Sequence, residues 1–343
     1  MSKSPVDIWY TRCGGATAST IAIRNGWLAA EFDPGEVTLH SLRDSNDRAV
    51  RESHFDHSIT SMFREGGNIP PIWARARGAD SVVLGITWVD EFQSVVVRSD
   101  SGIQDLRQLK CKRLGVPLYA GISIDFQRGA NFHGFANALS IVGLGRDDVE
   151  FVDIVIDRAA GDNPGPSGAA ELAALATGRV DAVFLRQASG YKLAADRKPH
   201  LRELVRLTDE ADPLRRINNG TPRPVTVHRD FLDKHPDLVV RYLSVLLQAS
   251  DWAVAKPDAA IATIAEEDGR VGPDITAATF PKLATSLRPR LTAEYVAGLA
   301  AQKDFLRDWG FLERDFDVAD WIVHGPLAEA ERLVAKRAAL AAE

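Results

Sequence analysis

Strand-like and helix-like segments alternate along most of this chain, and that alternation restricts the fold more than any other feature. VDIWYT (6–11), EVTLHSL (36–42) and DAVFL (181–185) have the apolar, β-rich or alternating pattern of strands. Helical patterns lie between such segments, for example ATASTIAIRNGWL (16–28), with Gly26 placed to end the helix. The alternation predicts an α/β fold, with mostly parallel sheets and helices on both faces.

The same alternation continues through the rest of the chain. Further strands are predicted in SVVLGITWV (81–89), FQSVVVRS (92–99), VEFVDIVI (149–156) and VTVHRDFL (225–232), and further helices in NFHGFANALSIVGL (131–144), GAAELAALATGRV (168–180) and most of the chain after residue 236. DLRQLKCKRLGVP (105–117) predicts a short helix followed by a strand that ends at Pro117. Loops are predicted at 158–168 and 209–224, where glycine and proline accumulate.

The length of 343 residues favours two domains. We predict one lobe from residues 1–95 plus 222–343 and a second lobe from residues 96–221. Two segments, DLRQLKCKRLGVP and ALATGRVDAVFL (174–185), resemble signatures of the periplasmic-binding-protein type II superfamily. This resemblance implies two lobes with a ligand-binding cleft between them.

Composition excludes several classes of function. The net charge is -6 and no basic run is present, so we expect no nucleic-acid partner. The first residues contain no apolar core of a secretory signal, and no long uncharged apolar run follows, so we expect a cytoplasmic protein without a membrane partner. With only two cysteines we expect reduced thiols. We expect no metal or organic cofactor, since no binding motif for either is present. We also expect a monomer.

The first cysteine, Cys13 in YTRCGG, lies where the first predicted strand gives way to the first predicted helix. A helix N-terminus lowers the pKa of a thiol, because free N–H groups and the helix dipole favour the thiolate. Taken alone, the segment fits either a reactive cysteine or an inert small side chain. The second cysteine, Cys111, lies among basic residues in the second lobe, and we predict that it takes no part in function.

A second cluster lies in SHFDHSITSMFREGGNIPPIWARARG (53–78). Arg64 is followed by Gly66 and Gly67, and the two prolines after them are typical of the first turn of a helix. Glycines allow backbone N–H groups to approach a ligand, and arginine binds oxyanions through two parallel hydrogen bonds. The stretch therefore fits either an anion-binding cradle or a glycine turn with a solvated arginine. His54 and His57 precede it, and the sequence leaves open whether each histidine has a structural or a functional role.

With these residues in view, the chain resembles the 2'-hydroxybiphenyl-2-sulfinate desulfinase family over most of its length. The cysteine precedes GWL (26–28) by the spacing of the family, and His54-Phe55 precedes REGGNIPP (64–71) by the family's spacing as well. The resemblance implies three catalytic residues, Cys13, His54 and Arg64, and four substrate-binding residues, Gly66, Gly67, Phe55 and Phe132. The sequence departs from the family in a longer stretch between GWL and SHF and in the two glycines after the cysteine.

The resemblance implies an enzyme that uses water to cleave the C–S bond of an aromatic sulfinate, giving the arene and sulfite. Cys13 is then a nucleophile at sulfur or a proton donor to the ring carbon, and the sequence leaves both roles open. The alternative is a non-catalytic solute-binding protein of an ABC transporter for a sulfonate-like or aromatic anion. A ligand-sensing regulator is disfavoured, because no segment has a helix-turn-helix pattern.

Overall fold

A computed structural model of the protein describes residues 5–11, 13–156 and 166–342. Within these residues the chain forms two compact units. Unit 1 contains residues 1–89, 220–269 and 282–343, and unit 2 contains residues 90–219 and 270–281. The sequence placed the boundaries at 95/96 and 221/222 and assigned 270–281 to the first lobe. Most of the loop predicted at 158–168 lies outside the described residues.

Ten strands are found in the described part of the chain, and they form two five-stranded sheets. The strands are β1 (Val6–Tyr10), β2 (Val37–Ser41), β3 (Met62–Glu65), β4 (Ser81–Thr87), β5 (Gln93–Arg98), β6 (Arg113–Tyr119), β7 (Glu150–Ile156), β8 (Ala182–Arg186), β9 (Leu201–Arg206) and β10 (Arg223–His228). Unit 1 holds the sheet with the order β2-β1-β3-β10-β4, and unit 2 holds the sheet with the order β7-β6-β8-β5-β9.

Both sheets are mixed, and each has one strand that runs against the others. In unit 1, β1 pairs in parallel with β2 and β3, whereas β10 is antiparallel to β3 and β4. In unit 2, β6 is parallel to β7 and β8, whereas β5 is antiparallel to β8 and β9. The remaining strands of each sheet therefore share one direction, which agrees with the prediction of mostly parallel sheets.

The helices are α1 (Ala18–Arg24), α2 (Trp27–Glu31), α3 (Arg48–Asp56), α4 (Ile69–Ala76), α5 (Phe126–Ser140), α6 (Ala169–Ala176), α7 (Gln187–Asp196), α8 (Arg229–Lys234), α9 (Pro236–Ala255), α10 (Pro257–Asp268), α11 (Pro273–Thr279), α12 (Leu283–Ser286), α13 (Ala293–Asp308) and α14 (Gly325–Ala342). The segment that contains α11 belongs to unit 2 because α11 packs on α7 and the Phe92 amide donates to the Thr279 carbonyl at 2.8 Å.

Helix α9 forms the centre of the helical layer of unit 1, where it packs against α1, α2, α12 and α14. Its Tyr242 ring stacks on Phe63 of β3 with ring centroids 3.9 Å apart, and both side chains are buried. By length and composition alone α9 could cross a membrane, but 61% of its most apolar stretch is buried within the protein. That burial is typical of the core helix of a soluble fold.

Several predicted boundaries were wrong for identifiable reasons. The first helix begins at Ala18, two residues later than predicted, but it does end before Gly26 as predicted, because Gly26 adopts a left-handed conformation with φ +74°; a second helix, α2, follows it. The strand predicted over 225–232 stops at His228, where α8 begins. Strand β6 continues past Pro117 to Tyr119, with Pro117 opposite Ile154 of β7.

Candidate active site

Cys13 lies in the loop between β1 and α1 and is half-buried. Residues 14–17 separate it from the first residue of α1, where the Thr17 hydroxyl caps the helix by accepting from the Thr20 amide at 3.1 Å. Cys13 therefore lies between the first strand and the first helix, as predicted, but four residues separate it from α1. Cys13 and Cys111 are both free thiols.

The N-terminus of α1 is occupied by a different side chain, the carboxylate of Glu65. The amides of Ala18 and Ser19 donate to its two oxygens at 3.2 and 2.8 Å. Burial raises the pKa of Glu65, and these hydrogen bonds oppose that shift. The helix dipole therefore stabilises Glu65, and the positive charge beside Cys13 comes from another group.

That group is Arg64 of β3, whose residue is only 1% exposed. Its Nε donates to the carbonyl of His54 at 2.9 Å, and its Nη2 lies 3.5 Å from His54 Nε2. Its Nη1 is buried and has no hydrogen-bond partner among the residues that the structure describes. Burial lowers the pKa of Arg64 to about 10, and the electrostatic interaction with Cys13 opposes the shift.

The open Nη1 faces a small space that is bordered by Gly66 and Cys13. A Cβ atom placed on Gly66 would lie 3.2 Å from Cys13 Sγ and 3.8 Å from Arg64 Nη1. Any side chain at Gly66 would therefore fill the space between the thiol and the guanidinium. A buried cation with an unsatisfied donor is costly, so the arrangement indicates a site for an anion of a few atoms.

The remaining residues of the cradle follow in the chain. Gly67 is half-buried, Asn68 is the N-cap of α4, and prolines occupy the first turn of that helix. The predicted glycine turn before a helix N-terminus is therefore present, and it follows a strand, β3, that the sequence did not predict.

The two histidines have different surroundings. His54 lies in the last turn of α3, and the Phe55 ring meets it edge-on with centroids 4.9 Å apart. His57 is 5% exposed, and its Nε2 lies 3.2 Å from Thr226 Oγ1. Burial, reinforced by the charge of Arg64, lowers the pKa of His57 to about 3 and holds the pKa of His54 well below 6.5. Of the two, His54 is the one whose ring contacts the guanidinium.

The structure thus brings Cys13, His54, Arg64 and Gly66 together within unit 1, with Phe55 against the His54 ring. Phe132 belongs to α5 of unit 2, where it is 9% exposed. Its ring packs edge-on against Phe151 at 5.0 Å between centroids, and the Arg128 guanidinium lies over it at 4.7 Å.

Sequence reasoning missed three residues that surround the cysteine loop: Thr11, Glu65 and Arg223. Arg223 lies in β10, is 1% exposed, and donates through Nη1 to the carbonyl of Ala16. No sequence signal pointed to Glu65 or Arg223, because β3 was not predicted and Arg223 fell within the loop predicted at 209–224.

No protein-family model matches the sequence, and no curated protein matches it. Solved structures do match over almost the whole chain. The desulfurization enzyme DszB is 24% identical with a TM-score of 0.72, covering 96% of this chain and 99% of its own. A cysteine-to-serine variant of DszB in complex with biphenyl-2-sulfinic acid is 22% identical with a TM-score of 0.73, covering 95% and 99%.

A putative periplasmic sulfonate-binding protein, SsuA from Methylobacillus flagellatus KT, is also similar. It is 16% identical with a TM-score of 0.75, and the match covers 97% of this chain and 96% of that protein. The fold is therefore of the periplasmic-binding-protein type II kind, as the sequence predicted. At these low identities the chain is similar both to an enzyme and to a binding protein. The similarity therefore establishes the fold, and the function has to be argued from the residues of the site.

Proposed function

We propose that this protein is an aryl-sulfinate desulfinase, which cleaves the C–S bond of a 2'-hydroxybiphenyl-2-sulfinate-like substrate with water. One observation carries the proposal: the buried Arg64 guanidinium has an Nη1 with no hydrogen-bond partner in the described part of the chain, and this nitrogen borders the same small space as the Cys13 thiol. An anionic head group in that space would satisfy the guanidinium and would come into contact with the sulfur.

A sulfinate fits this space chemically. Its two oxygens carry the negative charge, and its pyramidal sulfur is the atom at which the C–S bond breaks. Arg64 Nη1 and the backbone of Gly66 and Gly67 would hold the oxygens, which leaves the sulfur next to Cys13. The aryl group then extends away from the cradle.

Two balanced routes lead from this complex to products. In the first, the Cys13 thiolate attacks the sulfur, the C–S bond breaks and the aryl carbon takes a proton from water. The resulting Cys–S–SO2⁻ group reacts with water to give hydrogen sulfite and the thiol, which returns its proton to solvent and regenerates the thiolate. In the second, the Cys13 thiol protonates the ring carbon, sulfur dioxide leaves and takes up water to form hydrogen sulfite and a proton, and the thiolate is reprotonated. A sulfur dioxide adduct on Cys13, trapped by rapid acid quench and detected by mass spectrometry, supports the first route.

His54 has a supporting role in either route. Its pKa lies well below 6.5, so its ring is neutral at neutral pH and can stay against the Arg64 guanidinium without repulsion. A neutral imidazole can also donate to or accept from a sulfinate oxygen or the cysteine proton.

The second candidate function is binding of a sulfonate-like anion without catalysis, which the similarity to SsuA favours. Arg64 and the glycine cradle would hold a sulfonate as well as a sulfinate. Anion binding gives no reason for a thiol beside the open guanidinium, and this is why we favour the enzyme.

The deciding experiment incubates the protein with 2'-hydroxybiphenyl-2-sulfinate and with biphenyl-2-sulfinate, and assays sulfite and the arene together. We expect equimolar release of both by the wild type and none by Cys13→Ser. Tight binding of sulfinates and sulfonates without sulfite release would instead establish the binding protein.

A further inference from the structure

The loop that carries Cys13 is attached to the protein at its two ends. At its start, the Thr11 hydroxyl accepts from the Glu65 amide at 3.3 Å and donates to the Glu65 carbonyl at 3.4 Å. At its end, the Glu65 carboxylate accepts from Ala18 and Ser19 at the start of α1. One residue of β3, directly after Arg64, therefore fixes both ends of the cysteine loop.

Gly15 and Ala16 of the loop contact Arg223 of β10. Its Nε donates to the Gly220 carbonyl at 2.6 Å, and its Nη1 donates to the carbonyl of Ala16. A Cβ atom on Gly15 would lie 2.9 Å from Nη1, so the loop backbone and the guanidinium are in close contact. Glycine at this position permits that approach.

Glu65 and Arg223 also stabilise each other electrostatically. Each residue is 1% exposed, and the charge of Arg223 opposes the rise in the pKa of Glu65 that burial causes. Their strands are neighbours, since Val225 of β10 pairs with Glu65 of β3. Cys13, by contrast, has no hydrogen bond of its own among the described residues.

We propose that Glu65 and Arg223 are positioning residues, which hold the cysteine loop so that the thiol stays against Arg64. The consequence for turnover rests on the proposed desulfinase function, whereas the consequence for the thiol does not. Glu65→Gln keeps the size of the side chain, but it removes the charge and turns an amide NH2 toward one of the two backbone N–H donors. Arg223→Lys keeps the charge, but a single ammonium cannot reproduce the two directed bonds of the guanidinium.

The test measures two quantities on folded protein, with folding checked by circular dichroism and thermal unfolding. The first is the rate of Cys13 alkylation by iodoacetamide relative to Cys111, measured by peptide mass spectrometry. The second is the steady-state kinetics of sulfite release from biphenyl-2-sulfinate, with kcat and KM determined separately. Glu267→Gln is the matched control, because Glu267 is another buried, ion-paired carboxylate of unit 1, bonded to Arg43 at 2.9 Å.

We expect Cys13 alkylation to slow by about fivefold or more in Glu65→Gln and in Arg223→Lys, because a released loop lets the thiol move away from the positive charge of Arg64, and a nearby positive charge favours the reactive thiolate. We expect kcat to fall by about tenfold or more while KM stays within about threefold, since the anion clamp is retained. Glu267→Gln should match the wild type in both quantities.

The outcomes separate the two proposals. Wild-type alkylation and wild-type kcat in folded Glu65→Gln and Arg223→Lys would overturn the positioning role and leave the desulfinase proposal standing. Slowed alkylation in a protein that never releases sulfite would support the positioning role and refute the desulfinase proposal. If Glu65→Gln does not fold, Arg223→Lys alone decides by the same two quantities.

Discussion

Arg64 is held from one side by His54, through a 2.9 Å hydrogen bond from Nε to the backbone carbonyl and a 3.5 Å approach of Nη2 to the ring. The guanidinium is planar, so fixing Nε and Nη2 also fixes the direction of Nη1. That remaining nitrogen borders the space beside Cys13. The protein thus uses part of the guanidinium for its own structure and leaves the rest for a ligand.

Arg64→Lys should weaken sulfinate binding by tenfold or more. Lysine keeps the charge but cannot bond to His54 and to the ligand in the same planar geometry, and losing a charge-assisted contact to a desolvated anion costs roughly 2–5 kcal/mol. Calorimetric titration with biphenyl-2-sulfinate checks this, with Cys13→Ser present in every protein compared so that the ligand is not turned over. Arg75→Lys is the control, because Arg75 forms a salt bridge with Asp80 on the surface side of α4. Equal affinities with and without Arg64→Lys in this background would show that the anion binds elsewhere.

Gly66→Ala should abolish sulfinate binding while leaving the fold intact. The added methyl group would lie 3.2 Å from Cys13 Sγ and 3.8 Å from Arg64 Nη1, which is the space we assign to the anion. Gly325→Ala is the control, since a Cβ there meets no atom within 4 Å. The same titration decides, and retained affinity in folded Gly66→Ala would place the ligand outside this space.

The sequence was a sufficient guide to the fold because the pattern of strands and helices is regular in most of the chain. Strand β3 was missed because it has only four residues, MFRE, and its two charged residues hide the apolar alternation. Those same residues are Arg64 and Glu65, so one of the missed strands lies at the site; β9, LRELVR, was also missed. Their burial depends on partners far along the chain, which local patterns do not reveal.

The candidate site was predicted in part, for a related reason. Cys13, His54, Arg64 and Gly66 do meet within unit 1. From the sequence, the reactivity of Cys13 was attributed to the N-terminus of α1. This cause was wrong, because the first amides of α1 donate to Glu65. A strand-to-helix boundary can be read from a sequence, but the side chain that occupies the helix N-terminus depends on tertiary packing.

The affinity of the site for sulfinate should change little as the pH falls from about 8 to about 6.5. The pKa of His54 lies well below 6.5, so its ring stays neutral against Arg64 over this range, where an ordinary histidine becomes half-protonated. The measurement uses Cys13→Ser, in which neither turnover nor the thiol contributes. A transition in Kd centred near the ordinary histidine pKa would mean that His54 is protonated in the working site.

The stability of the protein should fall as the pH drops below 6.5, with a contribution from His57. Its pKa is about 3 in the folded protein and about 6.5 when unfolded, so the unfolded chain binds the extra proton between these values. The group should therefore remove about 1.4 kcal/mol of unfolding free energy for each pH unit below 6.5, down to about pH 3. Urea unfolding of wild type and His57→Gln at several pH values checks the slope, which should be smaller in the variant. Parallel pH profiles would show that His57 does not contribute.

Cys13→Ser should bind biphenyl-2-sulfinate with near wild-type affinity and lose turnover by at least about a hundredfold. A hydroxyl has a similar shape, but it is a poorer nucleophile at neutral pH and a weaker acid, so both routes fail while Arg64 still holds the anion. Cys111→Ser is the internal control and should retain turnover within a few-fold, because Cys111 is an exposed residue of unit 2. Sulfite release by wild type and Cys13→Ser at comparable rates would mean that the C–S bond is broken without the thiol. In that case Arg64 and the glycine cradle would be the reactive centre, and Cys13 would only complete the wall of the anion site.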